Sequence, residues 1–120
     1  MDELLSRLAA NVGIDRPTAE KAVAIILDFL SKEGPPDKVA ELIAKLPGAQ
    51  AFMAAHPPEE GGMFSMGGLM GAGTKLMGIG LSMGQVQTVT KEIIAFSREK
   101  AGEDALGEIV GAIPGLSQFV

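Results

Sequence analysis

The sequence predicts an all-α fold: a helical bundle of about six helices, made of two similar helical units related by pseudo-two-fold symmetry and joined by a Gly/Pro-rich linker. Three observations lead there. Apolar residues recur at the i, i+3, i+4, i+7 spacing of helix faces, and no segment reads as a β-strand. Pro and Gly cluster between these segments, as in Gly34-Pro35-Pro36, where a helix cannot continue. Finally, residues 13–52 moved by 67 fall on residues 80–119 without a gap. Eight of those forty pairs are identical, Ile26/Ile93, Phe29/Phe96, Asp37/Asp104, Glu41/Glu108 and Pro47/Pro114 among them, against roughly three expected from average composition. The pattern says more than the identities. Val39, Leu42, Ile43 and Leu46 map onto Leu106, Ile109, Val110 and Ile113, one helix face in each copy, and each run ends in Pro-Gly.

The elements follow in order. Over residues 3–12, Leu4, Leu5, Leu8 and Val12 share a face, Asp2 and Glu3 sit at the positive end of the helix dipole, and Gly13 supplies a C-terminal stop. Asp15 is the N-cap of the next helix and Pro17 is tolerated in its first turn. That helix runs to about Glu33 and is apolar over most of its circumference, so it belongs at the centre. A third helix spans about Asp37–Leu46, and Phe52 and Met53 occupy a short terminal turn. In the second copy, a helix over about 68–79 precedes a long one over 83–100, opened by Ser82 and Gln85 as a capping box. The organisation is therefore one domain, 1–120: a first unit 1–53, a linker 54–67 containing Pro57-Pro58-Glu59-Glu60-Gly61-Gly62, and a second unit 68–120. One unit alone is marginal for a core. Ile26, Phe29, Ile43, Leu46, Ile93, Phe96, Val110 and Ile113 are expected to be buried where the two pack together.

Composition narrows the function. The 120 residues are 47% hydrophobic and 21% charged, as in globular chains. Without Cys there is no disulfide framework, thiolate metal site or cysteine nucleophile. Ten basic against fifteen acidic residues give −5, which disfavours a general nucleic-acid binder that works by neutralising phosphates. The start, Met1-Asp2-Glu3-Leu4-Leu5, lacks the basic residues and apolar run of a secretory signal, so a cytoplasmic location is expected.

No catalytic constellation stands out. The single imidazole, His56, lies in Ala-His-Pro-Pro beside the linker, a poor place to hold the base of a serine triad. Asp37/Glu41 and Asp104/Glu108 are spaced to share a helix face, but first-turn capping explains the aspartates, and no calcium-type loop surrounds them. Asp28, opposite Ala95 in the repeat, reads as a charge on the solvent edge. Gly68 to Lys75 approaches a phosphate loop, with Thr74 and Lys75 in the wrong order and no strand ahead of them. No cofactor or metal site is expected. Residues 63–84 are unusual, with seven glycines, five methionines and the lone charge Lys75. Met is adaptable apolar filler and glycine lets another surface approach. Met63, Met66, Leu69, Met70, Leu76, Met77 and Met83 are therefore the candidate interaction surface, with the Leu76 side turned inward and some methionines exposed. A membrane-spanning helix here is disfavoured by Lys75 and the glycines.

Two resemblances follow from the motifs. Glu3-Leu4-Leu5, Gly13-Ile14-Asp15 and Ala19-Glu20-Lys21-Ala22-Val23 look like the N-terminal helical hairpin of the histone-like HU family. Nothing after Gly34 resembles that family's DNA-binding arms, so the likeness implies helix–helix association rather than DNA binding. The whole chain, with its Gly13-Ile14-Asp15 and Gly80-Leu81-Ser82 openings and its Leu46-Pro47-Gly48 and Ile113-Pro114-Gly115 turns, resembles small bacterial two-repeat helical proteins of the VcgC/VcgE type. That likeness implies a fold and no active site. The expectation is a non-enzymatic scaffold or protein-interaction module that self-associates. The alternatives are a small-molecule- or metal-binding protein using its acidic residues, and a nucleoid-type DNA-associated protein.

Overall fold

The structure, a computed structural model, describes residues 2–55, 68–113 and 115–118. Among these, seven α-helices and one 3-10 turn form, with no strand: α1 (Asp2–Val12), α2 (Arg16–Glu33), α3 (Pro36–Lys45), α4 (Ala49–Ala55), α5 (Gly68–Gly78), α6 (Met83–Ala101) and α7 (Glu103–Ala112), then the turn at Leu116–Gln118. The all-α expectation holds. The count exceeds six because Ala49–Ala55 continue into a helix of their own instead of a terminal turn. That helix includes Ala54 and Ala55, the first residues of the expected linker, and the rest of the linker, 56–67, lies outside the described residues.

Local chemistry sets the ends. Asp15 accepts the Thr18 N–H at 3.2 Å and opens α2. At α6 the box is reciprocal: Gln85 N–H donates to Ser82 Oγ at 3.3 Å and Ser82 N–H donates to Gln85 Oε1 at 3.0 Å. Two orphaned donors are thereby satisfied. Helix α2 stops at Gly34, whose N–H bonds the Leu30 carbonyl. A side chain has no room there, since a Cβ would stand 2.8 Å from the Leu30 carbonyl oxygen and 2.9 Å from Val39 Cγ2. Gly102 ends α6 and begins α7 by itself, at φ 95° and ψ 159°, a conformation open essentially to glycine alone.

The core is one continuous cluster, including Leu4, Leu8, Leu27, Leu30, Leu42, Leu76, Ile93, Phe96, Leu106 and Ile109. Fully burying each large side chain contributes about 1.5–3 kcal/mol relative to exposure. Of the eight residues expected inside, all are buried except Ile43, which is half-buried against the cluster. The central helices also carry hydroxyls inward. Thr90 Oγ1 donates to the Val86 carbonyl and Ser97 Oγ to the Ile93 carbonyl, both at 2.8 Å, so neither is left unsatisfied. Helix α1 packs chiefly on α6 and α5 chiefly on α2, while α3 lies against both α6 and α7.

Candidate functional site

The end of α5 and the start of α6 form one corner. Beyond Gly78 the chain turns through Ile79 and Gly80, with Ile79 N–H bonded to the Leu76 carbonyl and Gly80 N–H to that of Met77. Leu76 and Leu81 are buried beneath this turn, Leu76 only 1% exposed. Met77 and Met83 flank it at 49% and 61% exposure and are the exposed large apolar side chains among the described residues. Around them Gly73, Gly78, Gly80 and Gly84 have open space where a Cβ would stand. The result is a low surface of bare backbone and two flexible thioethers, with Lys75 the one charge on α5. Such a surface suits close apolar contact.

The structure thus separates the residues that the sequence grouped. Leu76 belongs to the core, and Met77 and Met83 to the surface. Leu69 and Met70 lie on α5, but their side chains, like all of Met63 and Met66, fall outside the described residues.

Other candidate groups are engaged elsewhere. Ser82 caps α6, and Ser31 Oγ and Ser97 Oγ donate to carbonyls of their own helices. His56 lies outside the described residues. Glu41 and Glu108 both meet Lys38 Nζ, at 3.9 and 3.2 Å. The Glu108 hydrogen bond raises the Lys38 ammonium above its ordinary range, with the charges of Glu108 and Glu41 adding to it. Among the described residues no group of three or more His, Asp or Glu is arranged to hold a metal ion, and no helix is long and apolar enough to cross a membrane. Asp28 is more sheltered than a solvent-edge charge, 16% exposed, and pairs with Lys32 at 3.1 Å.

Sequence reasoning missed one polar cluster, on the α1–α6 seam. Arg7 meets Glu99 at 2.8 Å and Glu92 at 3.5 Å, while Lys100 meets Glu3 at 3.6 Å. Both cations also cover the buried Phe96 ring, Arg7 at 5.5 Å and Lys100 at 5.4 Å from its centroid. The Glu99 hydrogen bond above all raises the Arg7 pKa, and the charges of Glu99, Glu92 and Glu3 act in the same direction. A cation held over an aromatic face is attracted by the ring quadrupole. These carboxylates are occupied in holding the seam. The one sequence signal was the presence of acidic and basic residues on the same flanks of α1 and α6, which does not say that those flanks meet.

Compared with protein-family models, with curated proteins and with solved structures, the chain matches none. The function is therefore argued from the surface itself.

Proposed function

We propose that the protein is a non-enzymatic helical scaffold that associates with itself through the α5–α6 corner. The observation that carries this reading is the exposure of Met77 and Met83 on either side of the chain's turn, with open space at the glycines near them in sequence. Solvent-facing thioethers gain by being covered, and the absent side chains around them let a second backbone come near. The engagement of Ser31, Ser82 and Ser97 in cap and helix hydrogen bonds, and of Glu41, Glu92, Glu99 and Glu108 in ion pairs, favours a binding role over a catalytic one.

The reading includes a pseudo-two-fold plan. Its support is positional. Ala19, Ala22, Val23, Ile26, Leu27, Phe29 and Leu30 are the buried residues of α2, and the buried residues of α6 are those 67 further on: Val86, Val89, Thr90, Ile93, Ile94, Phe96 and Ser97. Gly13 and Gly80 take positive φ, as do Gly48 and Gly115, again 67 apart. Helices α3 and α7 begin and end at the same interval.

Sedimentation velocity over a micromolar concentration series tests association. The wild type is expected to show concentration-dependent dimers or larger species. The double variant Met77→Lys, Met83→Lys is expected to stay monomeric with an unchanged helical circular dichroism spectrum. A wild type that is strictly monomeric throughout would reject self-association.

A further inference from the structure

The chain holds seven methionines and no Cys, Trp or Tyr. Its thioethers are therefore the side chains that take up an oxygen atom most readily. Among the described residues they differ in access. Met53 of α4 is half-buried against the core cluster, whereas Met77 and Met83 are 49% and 61% exposed. The helices that carry the two exposed sulfurs are held by other groups. Helix α5 buries Ala72 and Leu76, and the start of α6 is fixed by the reciprocal bonds of Ser82 and Gln85. A change at these two sulfurs therefore alters the surface of the α5–α6 corner and leaves the core as it is.

We propose that Met77 and Met83 are oxidation sites, modified by hydroperoxides, and that their sulfoxides switch off self-association at the α5–α6 corner. This assignment rests on the reading of that corner as a self-association surface and adds its regulation. In the step, the thioether sulfur gives an electron pair to one oxygen of the peroxide. The O–O bond breaks, an S–O bond forms, and the second oxygen leaves as water, or as an alcohol from an organic hydroperoxide. Sulfur is oxidised by two electrons and the peroxide is reduced by two. A sulfoxide is polar, and covering it with an apolar surface removes its hydration without a replacement. Gly73, Gly78, Gly80 and Gly84 bring no side-chain donor to offset that loss. The dissociated chain offers both sulfurs to the oxidant and association covers them, so each sulfoxide formed draws the equilibrium towards the monomer. The change is reversible. Methionine sulfoxide reductases release the oxygen as water while a dithiol is oxidised to a disulfide.

The test is a brief treatment of the full chain with hydrogen peroxide, so that only part of it is oxidised. Size-exclusion chromatography then separates associated from monomeric chains, and peptide mass spectrometry locates the sulfoxides in each fraction. The untreated chain is expected to elute partly as associated species. An untreated chain that is wholly monomeric rejects the self-association reading, and the switch with it. With association present, sulfoxide at Met77 and Met83 is expected to be several-fold enriched in the monomer fraction, while sulfoxide at Met53 divides evenly. Even division of the Met77 and Met83 sulfoxides overturns the proposal and leaves the reading of the corner standing. The circular dichroism spectrum of the oxidised monomer is expected to match that of the untreated chain. Loss of helix there would make unfolding the cause of dissociation and overturns the proposal. Reductase with dithiothreitol is expected to restore association, and persistent monomer after the sulfoxides are gone overturns it. Met77→Leu with Met83→Leu keeps the apolar contact at similar volume and cannot be oxidised. This variant is expected to stay associated in peroxide. Its dissociation to the wild-type extent would place the switch at another methionine and overturn the proposal. Should the variant not associate, the distribution of sulfoxides between the wild-type fractions decides alone.

Discussion

Phe96 shows how one residue ties the two halves. Its ring is 1% exposed, yet it touches the charged rim through Arg7 and Lys100. Phe96→Ala removes the buried ring and takes from both cations the face they cover. The expected loss is about 3–5 kcal/mol, as for other buried aromatic truncations, read from the urea midpoint at constant slope. At Asp15 the effect is electrostatic. Its pKa is lowered because the folded state donates hydrogen bonds to the carboxylate from the Thr18 side chain and then from the Thr18 N–H. A carboxylate lowered on folding stabilises the fold above its unfolded value, about 4. That stability is lost as the pH falls through the lowered folded value. Asp15→Ala should therefore lower Tm at neutral pH. The gap between wild type and variant should narrow on acidification below about pH 4. A gap that stays constant with pH would remove the charge from the explanation and leave only the cap geometry.

In α7 two exposed positions of the helix work against it. Gly107 and Gly111 face solvent, with nothing near where a Cβ would stand, and their partners 67 residues earlier are the exposed Ala40 and Ala44 of α3. Glycine in a helix interior costs about 1 kcal/mol relative to alanine, chiefly in backbone entropy. Gly107→Ala and Gly111→Ala are each expected to add up to about that amount, and the double variant reads the coupling between these i, i+4 neighbours. Thermal melts of the two single variants and the double one check this. A loss of stability would mean that these glycines meet a partner surface in solution. Helix ends were largely legible for a related reason. Asp15, Ser82 with Gln85, and Gly34 act on backbone groups within a few residues of themselves, so their effect is written locally.

For the whole molecule, Leu76 and Met77 make the sharpest contrast, since neighbours in sequence fall on opposite sides of the fold's surface. Leu76→Asp places an uncompensated carboxylate in the core, and burial of an unpaired charge costs several kcal/mol. The variant should be unfolded by circular dichroism at 25 °C. Met77→Lys should keep the wild-type spectrum and melt, within the ±0.5 kcal/mol usual for surface changes. If Leu76→Asp remained folded, α5 would not be seated on α2 in solution, and the core assignment at this corner would fall.

The sequence by itself determined the helices and their order, apart from α4, which it read as a short turn. Apolar spacing, caps and glycine stops act over one to four residues and need no knowledge of the rest of the chain. It also marked the Leu76 side as inward and some methionines as exposed, but a helix that is apolar on two edges does not state which methionines stay uncovered. Helix α2 posed the same problem: Ile25, Ile26 and Leu27 are all apolar, but Ile25 stays half-buried while its neighbours are enclosed. Tertiary structure decided these points, together with the pairing of α1 with α6 and α5 with α2 and the placing of Arg7 and Lys100 over Phe96. Arg7 and Glu99 stand 92 residues apart in the chain. Contacts at that separation are selected by how all the apolar faces pack together at once, and no local pattern carries that sum.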